Sequence, residues 1–174
     1  MKQLGRLAAT LLLSLPVTAM AKTIMMPKTA APTTKQQALL VELTGQDFTK
    51  QSDTELYAEM IGASHRDDEI GLKSRMQSLL TRFPASTYAD NALFLAGRMA
   101  VDHGNFPEAI RYFGRIEKAY PNSDKAASAK FAKAMTYKKM NLPQFAKRTL
   151  TEVRAKYPGS PESFRADAEL RLFN

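Results

Sequence analysis

Between residues 90 and 126 the apolar positions fall into two stripes separated by a break. Leu93, Ala96, Gly97 and Ala100 recur at helical spacing, as do Ala109, Phe113, Ile116 and Tyr120 beyond Gly104 and Asn105. Residues 127–163 repeat the arrangement, with Ala134 and Tyr137, a break at Asn141, then Ala146, Leu150, Val153 and Tyr157. In 53–89 the equivalents are Met60 and Ala63, a break near Asp67, then Leu72, Met76, Leu79 and Phe83. The pattern predicts a pair of helices in each stretch.

The boundaries between these stretches are written alike. Phe83-Pro84-Ala85-Ser86 is followed by Tyr120-Pro121-Asn122-Ser123 and Tyr157-Pro158-Gly159-Ser160, each step being 37 residues. Proline cannot continue a hydrogen-bonded helix, the aromatic belongs to the apolar stripe, and the serine is placed to cap the next helix. The inner breaks keep the period less strictly, since Asn105-Phe106-Pro107-Glu108 and Asn141-Leu142-Pro143-Gln144 are 36 residues apart. A repeated two-helix unit buries its apolar face only by stacking on its neighbours, so the prediction is an all-α, short right-handed solenoid with a 37-residue period. Around the units 53–89, 90–126 and 127–163, residues 35–52 read as an N-terminal capping helix and linker, and 164–174 as a C-terminal capping helix.

The first residues bear on location. Lys2 and Arg6 precede an apolar run from Leu7 to Val17, and Ala19-Met20-Ala21 supplies small residues before a cleavage point, so 1–21 reads as a signal peptide cut before Lys22. Residues 22–34, rich in threonine and holding two prolines, read as a flexible leader. Cleavage removes Lys2 and Arg6 and takes the net charge from +8 to +6. With no cysteine, disulfides and thiolate metal sites are excluded.

Gly97, Gly104, Phe106, Ala109, Phe113 and Pro121 occupy the small, glycine, aromatic and proline positions of the tetratricopeptide repeat, and the chain resembles that family. The third unit keeps Ala134, Tyr137, Ala146 and Pro158, with Asn141 in place of the glycine. Within the family, "YADNALFLAG" and "GNFPEAIRYFGRIEKAYPNS" are similar to the C-terminal domain of the periplasmic YbgF/CpoB proteins, partners of the Tol-Pal envelope system linked to peptidoglycan synthesis during division. Their trimerising coiled coil has no counterpart in 22–52, which lacks sustained heptads, so trimerisation is not carried over. A looser likeness is to BamD of outer-membrane assembly, whose lipidated cysteine is absent here.

The resemblance implies a groove lined by the first helix of each pair. Its positions fall on Tyr57, Phe94 and Phe131, again at 37-residue steps, and on Asn91, Arg98, Val101, Met135, Lys138 and Lys139. Such a ladder would suit an extended peptide; the same rings could instead pack between repeats. Charge is uneven, at −2, 0 and +6 for the three units. The basic cluster Lys130, Lys133, Lys138, Lys139, Lys147 and Arg148 is a candidate contact for an acidic peptide, anionic lipid or cell-wall polymer, or simply a solvated face.

Little points to catalysis. Ser64-His65-Arg66-Asp67-Asp68-Glu69 resembles a triad only in composition, because adjacent residues do not assemble one, and it reads as a polar loop. No metal or cofactor is implied, and the export signal argues against nucleic acid. The sequence therefore predicts a periplasmic, non-enzymatic adaptor for a protein or peptide of the cell envelope, with peptidoglycan or its synthases as further candidates. It is not expected to be an integral membrane protein. The alternatives are an accessory factor holding peptidoglycan or anionic lipid through the basic unit, and a BamD-like assembly subunit.

Overall fold

The inner breaks share one backbone geometry. Asp67, Gly104 and Asn141 all have positive φ, at 58°, 74° and 56°, and stand at successive 37-residue steps. Each terminates a helix with the same two bonds: Asp68 N–H to Ala63 and Asp67 N–H to Ser64, Asn105 to Ala100 and Gly104 to Val101, Leu142 to Tyr137 and Asn141 to Lys138. A left-handed residue after the last turn lets the chain reverse while satisfying free carbonyls, which Gly, Asn and Asp tolerate best.

The computed structural model describes residues 51–173, together with Lys35, Leu39, Val41 and Glu42, which are helical. The signal-peptide and leader expectations lie outside the described residues, as does most of the N-terminal capping segment. The described helices are α1 (Asp53–His65), α2 (Glu69–Arg82), α3 (Ala89–Asp102), α4 (Phe106–Ala119), α5 (Lys125–Lys139), α6 (Pro143–Lys156) and α7 (Pro161–Arg171), with no strand among them. Each packs on the next, and α1 also touches α3, α3 touches α5, and α5 touches α7. This is an all-α solenoid of stacked helix pairs.

The outer turns are near-copies in space too. Phe83, Tyr120 and Tyr157 end their helices at φ −130°, −132° and −126°, and each carbonyl accepts the N–H of Ser86, Ser123 or Ser160 at 3.0, 3.1 and 3.2 Å. The serines differ in their side chains. Ser160 Oγ accepts the Ser163 N–H at 3.1 Å and caps α7, where Pro161 starts the helix at once. Tyr88 and Asp124 hold the corresponding cap positions of α3 and α5 without a side-chain cap, because one or more further residues intervene after Ser86 and Ser123. Ser86 Oγ instead donates to Asp53 at 2.7 Å.

The slipped proline has a simple reason. Phe106 and Pro143 begin α4 and α6 and are 37 residues apart, so the helices keep register while proline moves within the first turn. N–H groups there have no intrahelical partner, so proline is tolerated at either place.

Packing within a pair turns on two facing positions that repeat with the period. Gly97 meets the Phe113 ring, and one repeat on the same positions hold Ala134 and Leu150, all buried. In the first pair they hold Met60 and Met76, also buried. In the second and third pairs a larger residue on one helix is matched by a smaller one on its partner, whereas the first pair fills the same space with two flexible methionines.

Candidate groove between the first helices

α3, α5 and α7 form the walls of an open groove of about 290 Å³. Six of the nine residues predicted for a groove line it: Phe94, Arg98 and Val101 from α3, and Phe131, Met135 and Lys139 from α5. Repetition accounts for the convergence, since equivalent positions on touching parallel elements face the same side. Phe94 leans on Phe113, ring centroids 5.7 Å apart and tilted by 53°. Phe131 is 5% exposed, so it is core as much as lining. Arg165 of α7 lies over the Phe131 ring at 4.3 Å, a cation–π contact.

The other three predicted residues sit elsewhere. Tyr57 stacks on Tyr88 at 4.8 Å and 14° and packs against the core of the first pairs. Its position in the series explains this: residues 37 and 74 beyond Tyr88 are Lys125 and Glu162, so the later rings have no such stacking partner. Asn91 is half-buried, its amide bonding the Asp90 carboxylate at 3.3 Å. Lys138 is paired with Glu169 of α7 at 2.6 Å.

Asp102, Phe113, Ser128, Ala132, Thr136, Glu162 and Arg165 also line the groove and were not predicted from sequence. The period contained a signal for several of them. Stepping Asn91 forward by 37 and 74 gives Ser128 and Arg165, and stepping Lys139 back by 37 gives Asp102. Glu162 turns onto Ser128 Oγ, which donates at 2.6 Å.

The basic cluster is largely neutralised by neighbouring helices. Lys130, 7% exposed, bridges Glu117 of α4 and Glu152 of α6 at 2.9 Å each, and Lys133 reaches Glu117 at 3.2 Å. Burial alone would lower the Lys130 pKa, but the hydrogen bonds it donates to Glu152 and Glu117 outweigh it and hold the ammonium above its ordinary value. Arg148 pairs with Glu152 at 3.2 Å. Lys130, Lys133 and Lys138 thus tie helices together, while the Arg148 pair lies within α6.

A second polar network joins the first two repeats. His103, after the last turn of α3, bonds Asp67 through Nε2 at 2.7 Å and Glu69 through Nδ1 at 3.2 Å. Only the imidazolium donates from both nitrogens at once. Glu69 also meets Lys73, which meets Glu108 at 2.6 Å, and Tyr112 Oη donates to Glu108 at 3.0 Å. Burial, then the Glu108 charge, pushes the Tyr112 pKa up to about 12. Of the Ser64–Glu69 run read as a polar loop, Ser64 and His65 belong to α1 and Glu69 to α2; in the short turn left between them, Asp68 caps α2 by accepting the Gly71 N–H at 2.8 Å. Among the described residues no group of His, Asp and Glu is arranged to hold a metal ion, and no helix is long and apolar enough to cross a membrane.

A family model for the tetratricopeptide repeat matches residues 91–123, the span of α3, α4 and the turn after them. The chain carries a tetratricopeptide repeat. No curated protein matches the chain. The repeat match, with the stacked helix pairs, makes this a tetratricopeptide-like solenoid, an architecture that serves as a protein-interaction scaffold through its extended inner surface.

Proposed function

We propose that the protein is a non-enzymatic adaptor that holds a segment of a partner protein in the groove between α3, α5 and α7. The observation that carries this reading is the convergence of Phe94, Arg98, Val101, Phe131, Met135 and Lys139 on one open, largely apolar concavity. The N-terminal signal pattern supports export to the periplasm. The sequence likeness to YbgF/CpoB proteins supports a place in envelope maintenance or division, with Tol-Pal components or peptidoglycan synthases as partners. The alternative of a basic unit gripping peptidoglycan or anionic lipid has less support, since Lys130, Lys133, Lys138 and Arg148 are already paired.

The test is capture of partners from a periplasmic extract by wild type and by a Val101→Glu, Met135→Glu variant whose helicity matches. Val101 and Met135 are half-buried, so this change alters the groove with less risk to the core than removing Phe131. Loss of the captured partner is expected, and undiminished capture would remove the groove from the reading. N-terminal sequencing of the mature protein from fractionated cells checks the location, with Lys22 as the expected first residue.

A further inference from the structure

We infer that the groove takes an internal segment of a partner chain in which a bulky apolar side chain stands beside a carboxylate. The inference rests on the groove-binding reading and adds the chemistry of the occupant. The floor is apolar, built from Phe94, Val101, Phe131 and Met135. A large apolar side chain is the group that gains most by leaving water there.

The polar rim supplies the second half. Arg98, Lys139 and Arg165 line it together with Asp102 and Glu162. Glu162 is engaged by the Ser128 hydroxyl, and the Arg165 guanidinium lies over the Phe131 ring. Arg98 and Lys139 are exposed and have no ion-pair partner among the described residues. This contrasts with Lys130, Lys133, Lys138 and Arg148, each held by a glutamate. Two unpaired cations thus stand on the groove's lining, where an incoming chain would lie, and Asp102, one turn from Arg98 on α3, stands beside them. Complementarity favours an anionic group beside the anchor. The groove is open between three helices, so a chain can enter and leave it without presenting a terminus.

A randomised peptide array with acetylated N-termini, printed once with amidated and once with free C-termini and probed with the full chain at low salt, tests the inference. Enriched sequences are expected to place Phe, Leu or Met next to Asp or Glu. Their Asn or Gln counterparts should bind about tenfold more weakly, the size expected for two partly exposed ionic contacts. An Arg98→Glu, Lys139→Glu variant should switch its preference to Lys- or Arg-bearing peptides, while Lys147→Ala, outside the groove, should behave as wild type. Neutral or basic enriched sequences, an unchanged preference in the charge-reversed variant, or binding only to peptides with a free C-terminal carboxylate would overturn the inference and leave groove binding standing. An array with no enriched sequence in either format would overturn both.

Discussion

Gly97 lies beneath the ring of Phe113, so closely that a β-carbon on it would stand 2.5 Å from the ring's Cε1. Alanine normally favours a helix over glycine by about 1 kcal/mol, but here the ring is buried and cannot retreat. Gly97→Ala should therefore destabilise the fold by about 1–2 kcal/mol in urea melts. Adding Phe113→Leu reproduces the Ala134 and Leu150 pairing of the next repeat. The double variant should recover part of the loss, and strictly additive costs would contradict the matched-pair account.

Gly104 offers the opposite case, since a β-carbon there would meet nothing within 4 Å. The whole cost of Gly104→Ala is then the left-handed backbone, about 1 kcal/mol. Gly104→Asn should cost less, because Asn141 performs the same turn one repeat later at φ 56°. Equal losses for the two substitutions in a urea titration would refute the assignment of the cost to backbone conformation.

Much of the solenoid was legible because it is periodic. The positive-φ residues at 67, 104 and 141 coincide with the breaks in the apolar stripes, and six groove residues follow from one register. What escaped was either outside the assumed repeats or local. Arg165 lines the groove from the segment read in sequence as a C-terminal cap, although it falls in register with Asn91, and Glu162 joins it from the last residues of the third unit, where α7 has already begun. Tyr57 fits the ladder by spacing, but its ring is claimed by Tyr88, which has no aromatic counterpart in later repeats. The pairing of Lys130 with Glu117 and Glu152 joins residues whose proximity depends on how three helices stack, and composition alone left that cluster looking open.

His103 gives the fold a pH dependence of definite sign. Its pKa is raised by the hydrogen bond to Asp67 and then that to Glu69, so its contribution is complete below the unfolded value of about 6.5 and is lost as pH rises through the raised one. Glu69, lowered by hydrogen bonds from Lys73 and then His103, contributes fully above its unfolded value of about 4.3 and loses this as pH falls through its lowered one. Thermal melts of wild type and His103→Gln should differ most between about pH 4.5 and 6.5 and converge in alkali. Curves that stay parallel across that range would show that the bridge to Asp67 contributes nothing to stability.

Tyr57 separates packing from recognition. It is half-buried against Tyr88 and the core of the first pairs, and burial raises its hydroxyl pKa. Truncating a fully buried aromatic costs about 3–5 kcal/mol, so Tyr57→Ala, at a partly exposed site, should cost about 2 kcal/mol. Tyr57→Phe keeps the stacked ring and should remain close to wild type. Since neither Tyr57 nor Tyr88 lines the groove, both variants should bind a groove peptide with unchanged affinity at temperatures where they are folded. A folded Tyr57→Ala protein that binds markedly less, with Tyr57→Phe unaffected, would extend the binding surface to α1 and return Tyr57 to the aromatic ladder suggested by its spacing.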